Sequence, residues 1–319
     1  MRITMEEAAD KLMGAKSLLI TAHVNPDGDA IGSTLGLAAF LQARGKKAEV
    51  WIDDKLPKNL AFLPGYDKIV RPQAGQKTDA EILVILDTSL DRIGVVGDAA
   101  KGLPVLNIDH HVSNDEKADY LYNARRAATA EMMFEIVDHL GGGFPPEIAI
   151  PLYTGLATDT GFFKFSNTRP ETMHAAARLL EAGVRPELVS ESLEEKPESV
   201  VRGQAAALQT MELSYGGRVA GLYLDKDLAT SLDTTEGFID FVRVIEGVEI
   251  AVLVKCMDEN FCRVSVRSKG LDVSKVAMKF GGGGHIRAAG FSVKKPLAEA
   301  KKDVLEALGE VLKQGGEIS

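Results

Sequence analysis

Hydrophobic positions in roughly the first 184 residues alternate between two spacings. Short apolar runs predict strands, at Ser17–Thr21, Ala48–Ile52, Glu81–Leu86 and Pro104–Ile108. Helical spacing follows or separates them, at Ala30–Arg44, Thr129–Leu140, Glu147–Leu156 and Thr172–Glu181. The run Glu81–Leu86 is short, apolar and rich in β-branched residues, which is typical of a strand buried on both faces. This alternation predicts an α/β domain in which helices cover a mostly parallel sheet.

The pattern changes after Val184–Glu198, a charged stretch with two prolines that we interpret as a connector with a short helix. Beyond it, strands are predicted at Arg218–Leu224, Val248–Cys256 and Phe261–Arg267, and helices at Asp272–Phe280 and Pro296–Leu312. Gly281–Gly284 interrupts the pattern between the last two helices. These elements predict a smaller α+β domain. The expected organisation is a first domain over 1–185, a linker over 186–200 and a second domain over 201–319.

Composition agrees with an ordinary globular protein of two domains. With 319 residues, of which 45% are hydrophobic, the chain is too long to form one small core. No window approaches 18 consecutive apolar residues, and the N-terminus lacks the basic start of a signal peptide, so we expect a cytoplasmic protein. The net charge of −9 argues against a long duplex-binding surface. A short nucleotide remains compatible, because a metal ion supplies local positive charge.

The chain contains two cysteines, Cys256 and Cys262, on either side of a predicted turn. A zinc site requires more thiolates at closer spacing, and disulfides are rare in the cytoplasm. We therefore expect a reduced, packed pair.

Acidic residues and histidines form four clusters along the first domain. They are His23, Asp27 and Asp29 in A-H-V-N-P-D-G-D, then Asp87, then Asp109-His110-His111, and then Asp159 in T-G-L-A-T-D-T-G. Three of the four follow predicted parallel strands directly. Because ligands bind at the carboxyl edge of open α/β sheets, we expect these side chains to meet at one edge.

Each cluster has an ordinary structural interpretation as well. Asp29 alone is typical of a helix N-cap, and Asp87, which precedes Thr88 and Ser89, is typical of a turn. His110 and His111 could be one packed and one solvated side chain, and Asp159 could end a helix. Caps and turn residues have no reason to select one edge of a sheet, so their shared position favours a metal site.

The ligand types indicate which metal and which chemistry to expect. Carboxylates and imidazoles without thiolates favour manganese, magnesium or iron over structural zinc. The number of ligands suits two ions about 4 Å apart, which share a bridging carboxylate and activate a bridging water. This arrangement predicts hydrolysis of a phosphate ester.

The second domain contains a candidate clamp for phosphate. Glycines at Gly281–Gly284 let backbone N–H groups approach an anion, and His285 adds a donor. Arg267, near the end of a predicted strand, suits bidentate phosphate recognition. A glycine run alone is equally typical of a flexible loop, but the combination favours a phosphate or nucleotide site.

Taken in order, these motifs resemble the DHH phosphoesterase superfamily. The matching motifs are H-x-x-x-D-x-D, D-T-S, D-H-H-x-S-N, T-D-T-G and G-G-G-G-H-x-x-A-A-G, from about Lys16 to Phe291. Length and domain order are most similar to its NrnA-like subfamily. That resemblance implies a DHH domain, a DHH-associated domain and an active site in the cleft between them. It also implies manganese-dependent hydrolysis of short oligoribonucleotides (nanoRNA) to 5′-mononucleotides and of 3′-phosphoadenosine 5′-phosphate to AMP.

The resemblance further implies a role for each motif residue. His23 and Asp27 would hold one manganese ion, Asp29, His110 and Asp159 the other, and Asp87 would bridge them. Asp109 would orient a neighbouring histidine, and His111 would face the scissile phosphate. The substrate would contact residues from both domains, namely Asn114, Arg267, Ser268, Gly282, Gly283, Gly284 and His285.

Other functions stay open on the sequence. The substrate could be a linear or cyclic dinucleotide, or a longer single strand. A non-catalytic nucleic-acid-binding protein is a further alternative, because the glycine-rich histidine region also resembles a domain appended to alanyl-tRNA synthetases. A homodimer through the Met-containing helix Thr129–Leu140 is possible, although core packing is the favoured use of that helix.

Overall fold

The computed structural model describes residues 1–112, 114, 117–232 and 234–315. The chain divides into two compact units, Met1–Glu195 and Lys196–Ser319. The finer boundaries expected from the sequence, with a linker over 186–200, stay a prediction.

Within the described residues, the first unit contains a parallel five-stranded sheet with the order β2-β1-β3-β4-β5. Its strands are β1 (Ser17–Thr21), β2 (Lys47–Val50), β3 (Ile82–Leu86), β4 (Val105–Asp109) and β5 (Tyr120–Asn123). Its helices are α1 (Met5–Gly14), α2 (Gly28–Gln42), α3 (Val96–Ala99), α4 (Thr129–His139), α5 (Pro146–Asp159), α6 (Pro170–Glu181) and α7 (Pro186–Glu194). The predicted parallel α/β fold is confirmed.

Strand β3 lies in the middle of this sheet and is buried on both faces, as its sequence predicts. Val84 and Leu86 pack into the core formed with α2, α4 and α5. Leu83 and Ile85 point to the opposite face and pack with residues of α3. The short strand β5 was missed because Tyr120–Asn123 offers only four residues without a long apolar run.

Helices α2 and α5 pack closely through glycine. A Cβ atom on Gly32 would lie 2.3 Å from the carbonyl oxygen of Pro151, and one on Gly155 would lie 2.8 Å from a carboxylate oxygen of Asp29. The missing side chains therefore let α5 approach the start of α2. This contact brings Asp159, the last residue of α5, to the edge where β1, β3 and β4 end.

The second unit contains a mixed six-stranded sheet in the part of the chain that is described, with the order β10-β11-β9-β8-β7-β6. Its strands are β6 (Met211–Ser214), β7 (Val219–Leu224), β8 (Ile250–Asp258), β9 (Phe261–Ser268), β10 (Gly283–His285) and β11 (Ala288–Val293). Its helices are α8 (Glu198–Gln209), α9 (Lys226–Ser231), α10 (Phe238–Arg243), α11 (Ser274–Lys279) and α12 (Leu297–Gly315). The predicted smaller α+β unit is confirmed.

Gly281–Gly284 interrupts the helical pattern after α11, as expected, and its second half begins the edge strand β10, which pairs with β11. One local expectation for this unit is wrong. Cys256 and Cys262 are not reduced but form a disulfide, with sulfur atoms 1.99 Å apart. The turn between β8 and β9 places these cysteines directly opposite each other across the antiparallel pair, a register that the spacing alone did not reveal.

No helix among the described residues is long and apolar enough to span a membrane. Helix α4, considered as a subunit contact, packs into the core of the first unit instead. Its Met132 and Met133 are fully buried, which confirms the favoured interpretation of this helix.

Candidate metal centre and substrate-binding residues

The parallel strands of the first unit end at one edge of the sheet, and the four predicted clusters meet there. Three sets of side chains among the described residues place their ligand atoms within 4.8 Å of one another. These sets are His23, Asp27 and Asp87, then Asp29, His110 and Asp159, and then Asp87, His110 and His111. The first two match the two ligand groups expected from the sequence, with Asp87 adjacent to both.

Asp27 and Asp29 have different structural roles at the start of α2. Asp27 is the N-cap, and its Oδ1 accepts hydrogen bonds from the N–H groups of Asp29 and Ala30 at 3.1 and 3.0 Å. Its Oδ2 faces Nε2 of His23 at 3.7 Å. The interpretation of Asp29 as a cap of its own helix is therefore wrong. Asp29 is fully buried instead, and its oxygens accept from Thr129 and Ala130 at the start of α4.

Asp87 occupies the position expected of a bridging ligand. Its Oδ1 lies 3.3 Å from Nε2 of His110, and its Oδ2 lies 3.6 Å from Nε2 of His23. The residue is 2% exposed and adopts φ = 62°, a left-handed conformation that is uncommon for aspartate. Strain of this kind concentrates at functional sites, where the surrounding structure holds it in place.

Backbone carbonyls determine which nitrogen of two histidines carries the proton. Nδ1 of His23 lies 2.9 Å from the carbonyl oxygen of Val24, and Nδ1 of His110 lies 3.2 Å from that of Arg126. A carbonyl oxygen only accepts, so each Nδ1 donates and each neutral ring directs the lone pair of Nε2 toward the carboxylates. Nε2 of His110 is buried and has no hydrogen-bond partner among the described residues.

The Nε2 lone pairs of His23 and His110 face the carboxylate oxygens of Asp87, and this repulsion is relieved when a proton or a cation lies between them. In the metal-free protein, protons have this role. Burial disfavours protonation of His110, but Asp87 and Asp159 outweigh it and raise its pKa to about 9. Burial and the charge of Asp87 raise the pKa of Asp159 to about 7. Burial opposes ionisation of Asp87 itself, but contacts with His110 and His23 lower its pKa.

Asp109 and His111 form the pair that the resemblance implies. The buried Asp109 accepts hydrogen bonds through Oδ1 from the backbone N–H and Nδ1 of His111, at 3.0 and 2.8 Å. The ring of His111 is therefore fixed, while 45% of its side chain stays exposed. Asn114 donates to Oδ2 of Asp109 at 2.6 Å and to Asn107 at 2.7 Å. Its amide thus supports Asp109, and a contact between Asn114 and substrate stays a prediction.

The candidate clamp residues of the second unit lie on neighbouring strands. Arg267 on β9 is paired with Ala288 on β11, which is paired with His285 on β10, so these three residues share one face. The predicted contact of Ser268 with substrate is wrong, because strand alternation turns this side chain to the opposite face of β9. There it is 3% exposed and its hydroxyl donates to the carbonyl of Leu271 at 2.5 Å.

The glycines of this region differ in how much space and which free N–H groups they offer to a ligand. The N–H of Gly282 donates to the carbonyl of Ala277 at 2.9 Å and so is not available to an anion. A Cβ atom on Gly284 would lie 2.5 Å from the carbonyl oxygen of Ala288. Gly283 is exposed, with open space around it, and remains the candidate of the three for close approach by a ligand.

Several residues around both candidate sites were missed from the sequence. On β9 the missed residue is Arg263, which shares the face of Ser265 and Arg267 and could have been found from the two-residue period. In the first unit they are the buried polar residues Asn107, Thr129 and Glu131. Asn107 gave a usable signal, since a polar residue in an apolar strand needs hydrogen-bond partners. It donates to the carbonyls of Ile85 and Thr88 at 3.1 and 2.7 Å.

The donors of this candidate centre fit divalent cations. Carboxylate oxygens and imidazole nitrogens converge from separate elements, the buried Nε2 of His110 has no hydrogen-bond partner among the described residues, and Asp87 presents one oxygen to each group. Thiolates take no part, so the ligand set differs from that of structural zinc sites.

Comparison with known proteins identifies the class to which this fold and centre belong. The model of the DHH family, N-terminal domain, matches residues 17–156, and the model of the DHHA1 domain matches residues 216–314. The chain belongs to the DHH family of phosphoesterases, and the predicted hydrolase class is confirmed.

Individual relatives are similar over nearly the whole chain. The bifunctional oligoribonuclease and PAP phosphatase NrnA of Thermus thermophilus is 38% identical over 302 residues, covering 94% of this chain and 91% of the relative. The protein of the same name from Bacillus subtilis is 26% identical, covering 87% and 89%. The crystal structure of an exopolyphosphatase-related protein from Bacteroides fragilis has a TM-score of 0.86 at 26% identity, covering 96% and 95%.

Proposed function

We propose that the protein is a manganese-dependent phosphoesterase that hydrolyses short oligoribonucleotides to 5′-mononucleotides and 3′-phosphoadenosine 5′-phosphate to AMP. The observation that carries the proposal is Asp87, whose two carboxylate oxygens face the histidines of two separate ligand groups. The similarity to oligoribonuclease and PAP phosphatase NrnA from Thermus thermophilus supports the choice of substrates.

Two divalent cations would be held in unlike surroundings. One group consists of His23, Asp27 and Asp87, and the other of Asp29, His110, Asp159 and the shared Asp87. Bound cations at such a pair lower the pKa of a shared water and neutralise charge on a phosphoryl group. Manganese suits the mixture of oxygen and imidazole donors, and magnesium is the alternative to test.

His111 is the proposed residue that meets the scissile phosphate. Its Nδ1 proton is held by Asp109, and its exposed position leaves Nε2 directed away from that carboxylate. The hydrogen bond with Asp109 raises the pKa of His111 despite burial. When protonated, His111 can donate its Nε2 proton to a phosphoryl or leaving-group oxygen.

Arg267, Gly283 and His285 are proposed to bind the rest of the nucleotide. The guanidinium of Arg267 suits two phosphate oxygens, and Ser265 adds a hydroxyl on the same face of β9. The exposed Arg263, two residues further along that face, adds a second cation. How this face meets the metal centre of the first unit, including the expected cleft between the domains, stays a prediction.

A substrate panel tests the function. Metal-free enzyme is supplied with Mn²⁺ and given 3′-phosphoadenosine 5′-phosphate, linear and cyclic diribonucleotides, a five-residue RNA and a long single strand. We expect Mn²⁺-dependent release of AMP and of 5′-mononucleotides, fastest on the short substrates. Faster turnover of a dinucleotide than of all others would move the assignment to a dinucleotide phosphodiesterase. Binding of RNA without release of any product would indicate the non-catalytic alternative.

Two further expectations accompany this proposal. The cytoplasmic location and the homodimer, for which α4 was considered, stay predictions. Size measurement in solution tests the second, and fractionation of cells tests the first.

A further inference from the structure

The loop that leads into α4 contacts two candidate ligands of one group and the shared Asp87. We call Arg126–Ala130 the clasp. The carbonyl of Arg126 accepts from Nδ1 of His110 at 3.2 Å. The N–H groups of Thr129 and Ala130 donate to Asp29 at 2.6 and 2.8 Å. A single short segment therefore contacts a candidate ligand that follows β4 and another in the first turn of α2.

The same segment reaches the shared ligand through a side chain. The hydroxyl of Thr129 donates to Oδ1 of Asp87 at 3.0 Å, because an ionised carboxylate only accepts. Thr129 is fully buried, and Asp87 is 2% exposed, so water does not compete for this hydrogen bond. Oδ1 is also the oxygen that faces Nε2 of His110 at 3.3 Å.

The buried Glu131 and the half-buried Asn167 hold the clasp in turn. Glu131 is 1% exposed and accepts from the N–H of Ala127 at 2.8 Å and from the hydroxyl of Thr172 at 3.1 Å. The amide of Asn167 donates to the carbonyls of Ala127 and Asp159, both at 3.0 Å. The clasp is thus tied to the backbone of a fourth candidate ligand.

We propose that Thr129 is a positioning residue of the metal centre. Its hydroxyl fixes the rotation of the Asp87 carboxylate, so that one oxygen is presented to each ligand group. Asp87 lies directly after β3 with φ = 62°, and Thr129 of the clasp donates to its carboxylate from another element. The inference rests on the proposed function only in that the centre binds divalent cations.

The substitution Thr129→Val keeps the shape of the side chain and removes the hydroxyl, whereas Thr129→Ser keeps the hydroxyl. Mn²⁺ is titrated calorimetrically into the metal-free full-length variants in the absence of substrate. Loss of a group that orients a metal ligand typically weakens metal affinity about 10–100-fold. We expect a loss of that size for Thr129→Val, and affinity within about threefold of wild type for Thr129→Ser.

A matched control separates positioning from general damage to the core. Thr154 on α5 is also fully buried, but its hydroxyl donates to the carbonyl of Ile150 in its own helix, at 2.9 Å. Thr154→Val should therefore bind Mn²⁺ like wild type. If Thr129→Val does not fold, Thr129→Ala replaces it in the same titration against Thr129→Ser.

The outcomes distinguish the inference from the function on which it rests. Wild-type affinity in Thr129→Val, or an equal loss in Thr129→Ser, would overturn the positioning role alone. Wild-type protein that binds no Mn²⁺ would overturn the proposed metal-dependent function. Since no substrate is present, an incorrect choice of substrate affects neither result.

Discussion

Asp87 combines an unfavourable backbone conformation, nearly complete burial and a negative charge. Its φ of 62° costs free energy, and its burial opposes ionisation, yet contacts with His110 and His23 keep its pKa low. A turn residue would need none of these contacts. The arrangement is stable because positive charge, from protons or from cations, compensates the carboxylate on both sides.

Replacement of Asp87 by asparagine separates the charge from the backbone conformation. Asparagine tolerates left-handed φ, so Asp87→Asn should fold. Because it removes the shared carboxylate from both ligand groups, Mn²⁺-dependent turnover should fall by at least about 100-fold. Steady-state kinetics together with circular dichroism measure both properties. Near-normal turnover in a folded variant would contradict the assignment of Asp87 as a shared metal ligand.

The pKa values of His110 and Asp159 predict how the metal-free protein responds to pH. Both are raised, to about 9 and about 7, so the folded state retains protons that the unfolded chain releases. The contribution of His110 is fully present below pH 6.5 and is lost as pH rises through about 9. The contribution of Asp159 to stability is present below pH 3.8 and is lost as pH rises through about 7. Both groups therefore make the protein less stable as pH rises.

Stability of the metal-free protein should therefore decrease between pH 6.5 and 9. Denaturant unfolding at several pH values measures this decrease, and His110→Asn should reduce its slope. Excess Mn²⁺ should oppose the decrease, because cations bind better as the competing protons leave. Constant or rising stability over this range would contradict the electrostatic description of the centre.

At the scale of elements, the metal centre depends on how closely α2 and α5 approach. Asp29 lies in the first turn of α2, and Asp159 is the last residue of α5. Gly32 faces the backbone of α5 at a distance that excludes a side chain. The distance between these two carboxylates is thus controlled by a residue that carries no functional group.

Gly32→Ala should test this dependence. The added methyl group meets the carbonyl of Pro151, a backbone atom that cannot rotate away, and we expect destabilisation of about 1–3 kcal/mol with weaker Mn²⁺ binding. Gly14→Ala at the end of α1 is the matched control, since a Cβ atom there has no neighbour within 4 Å. It should be neutral or stabilising by about 0.4–1 kcal/mol. Urea unfolding compares the free energies of unfolding of the two variants. Equal changes would show that the close approach of α2 and α5 does not determine the effect of Gly32→Ala.

At the scale of the whole molecule, the proposed function assigns chemistry and substrate recognition to different units. The candidate cation ligands lie in Met1–Glu195, whereas Arg267 and His285 lie in Lys196–Ser319. Each unit has its own core. We therefore expect substitutions in the second unit to alter substrate binding without altering the affinity for Mn²⁺.

Arg267→Ala is the corresponding prediction. Loss of a charged hydrogen bond to phosphate should raise KM about 10–100-fold, with kcat and Mn²⁺ affinity changed less than about threefold. Arg202→Ala on α8 is the control, since its exposed guanidinium pairs with Glu198 of the same helix. Kinetics on 3′-phosphoadenosine 5′-phosphate measure the difference. A fall in kcat at unchanged KM would place Arg267 outside substrate recognition.

Local patterns in the sequence determined four of the five strands of the first unit, most of its helices and the clusters that form the candidate metal centre. They were sufficient because strands β1, β3 and β4 run in parallel, and residues that follow parallel strands meet at one edge whatever their separation along the chain. The pairing of Cys256 with Cys262 and the clasp at Arg126–Ala130 were decided only by the tertiary structure. Each depends on strand register or on hydrogen bonds between distant segments, and such contacts form only when the whole unit has folded.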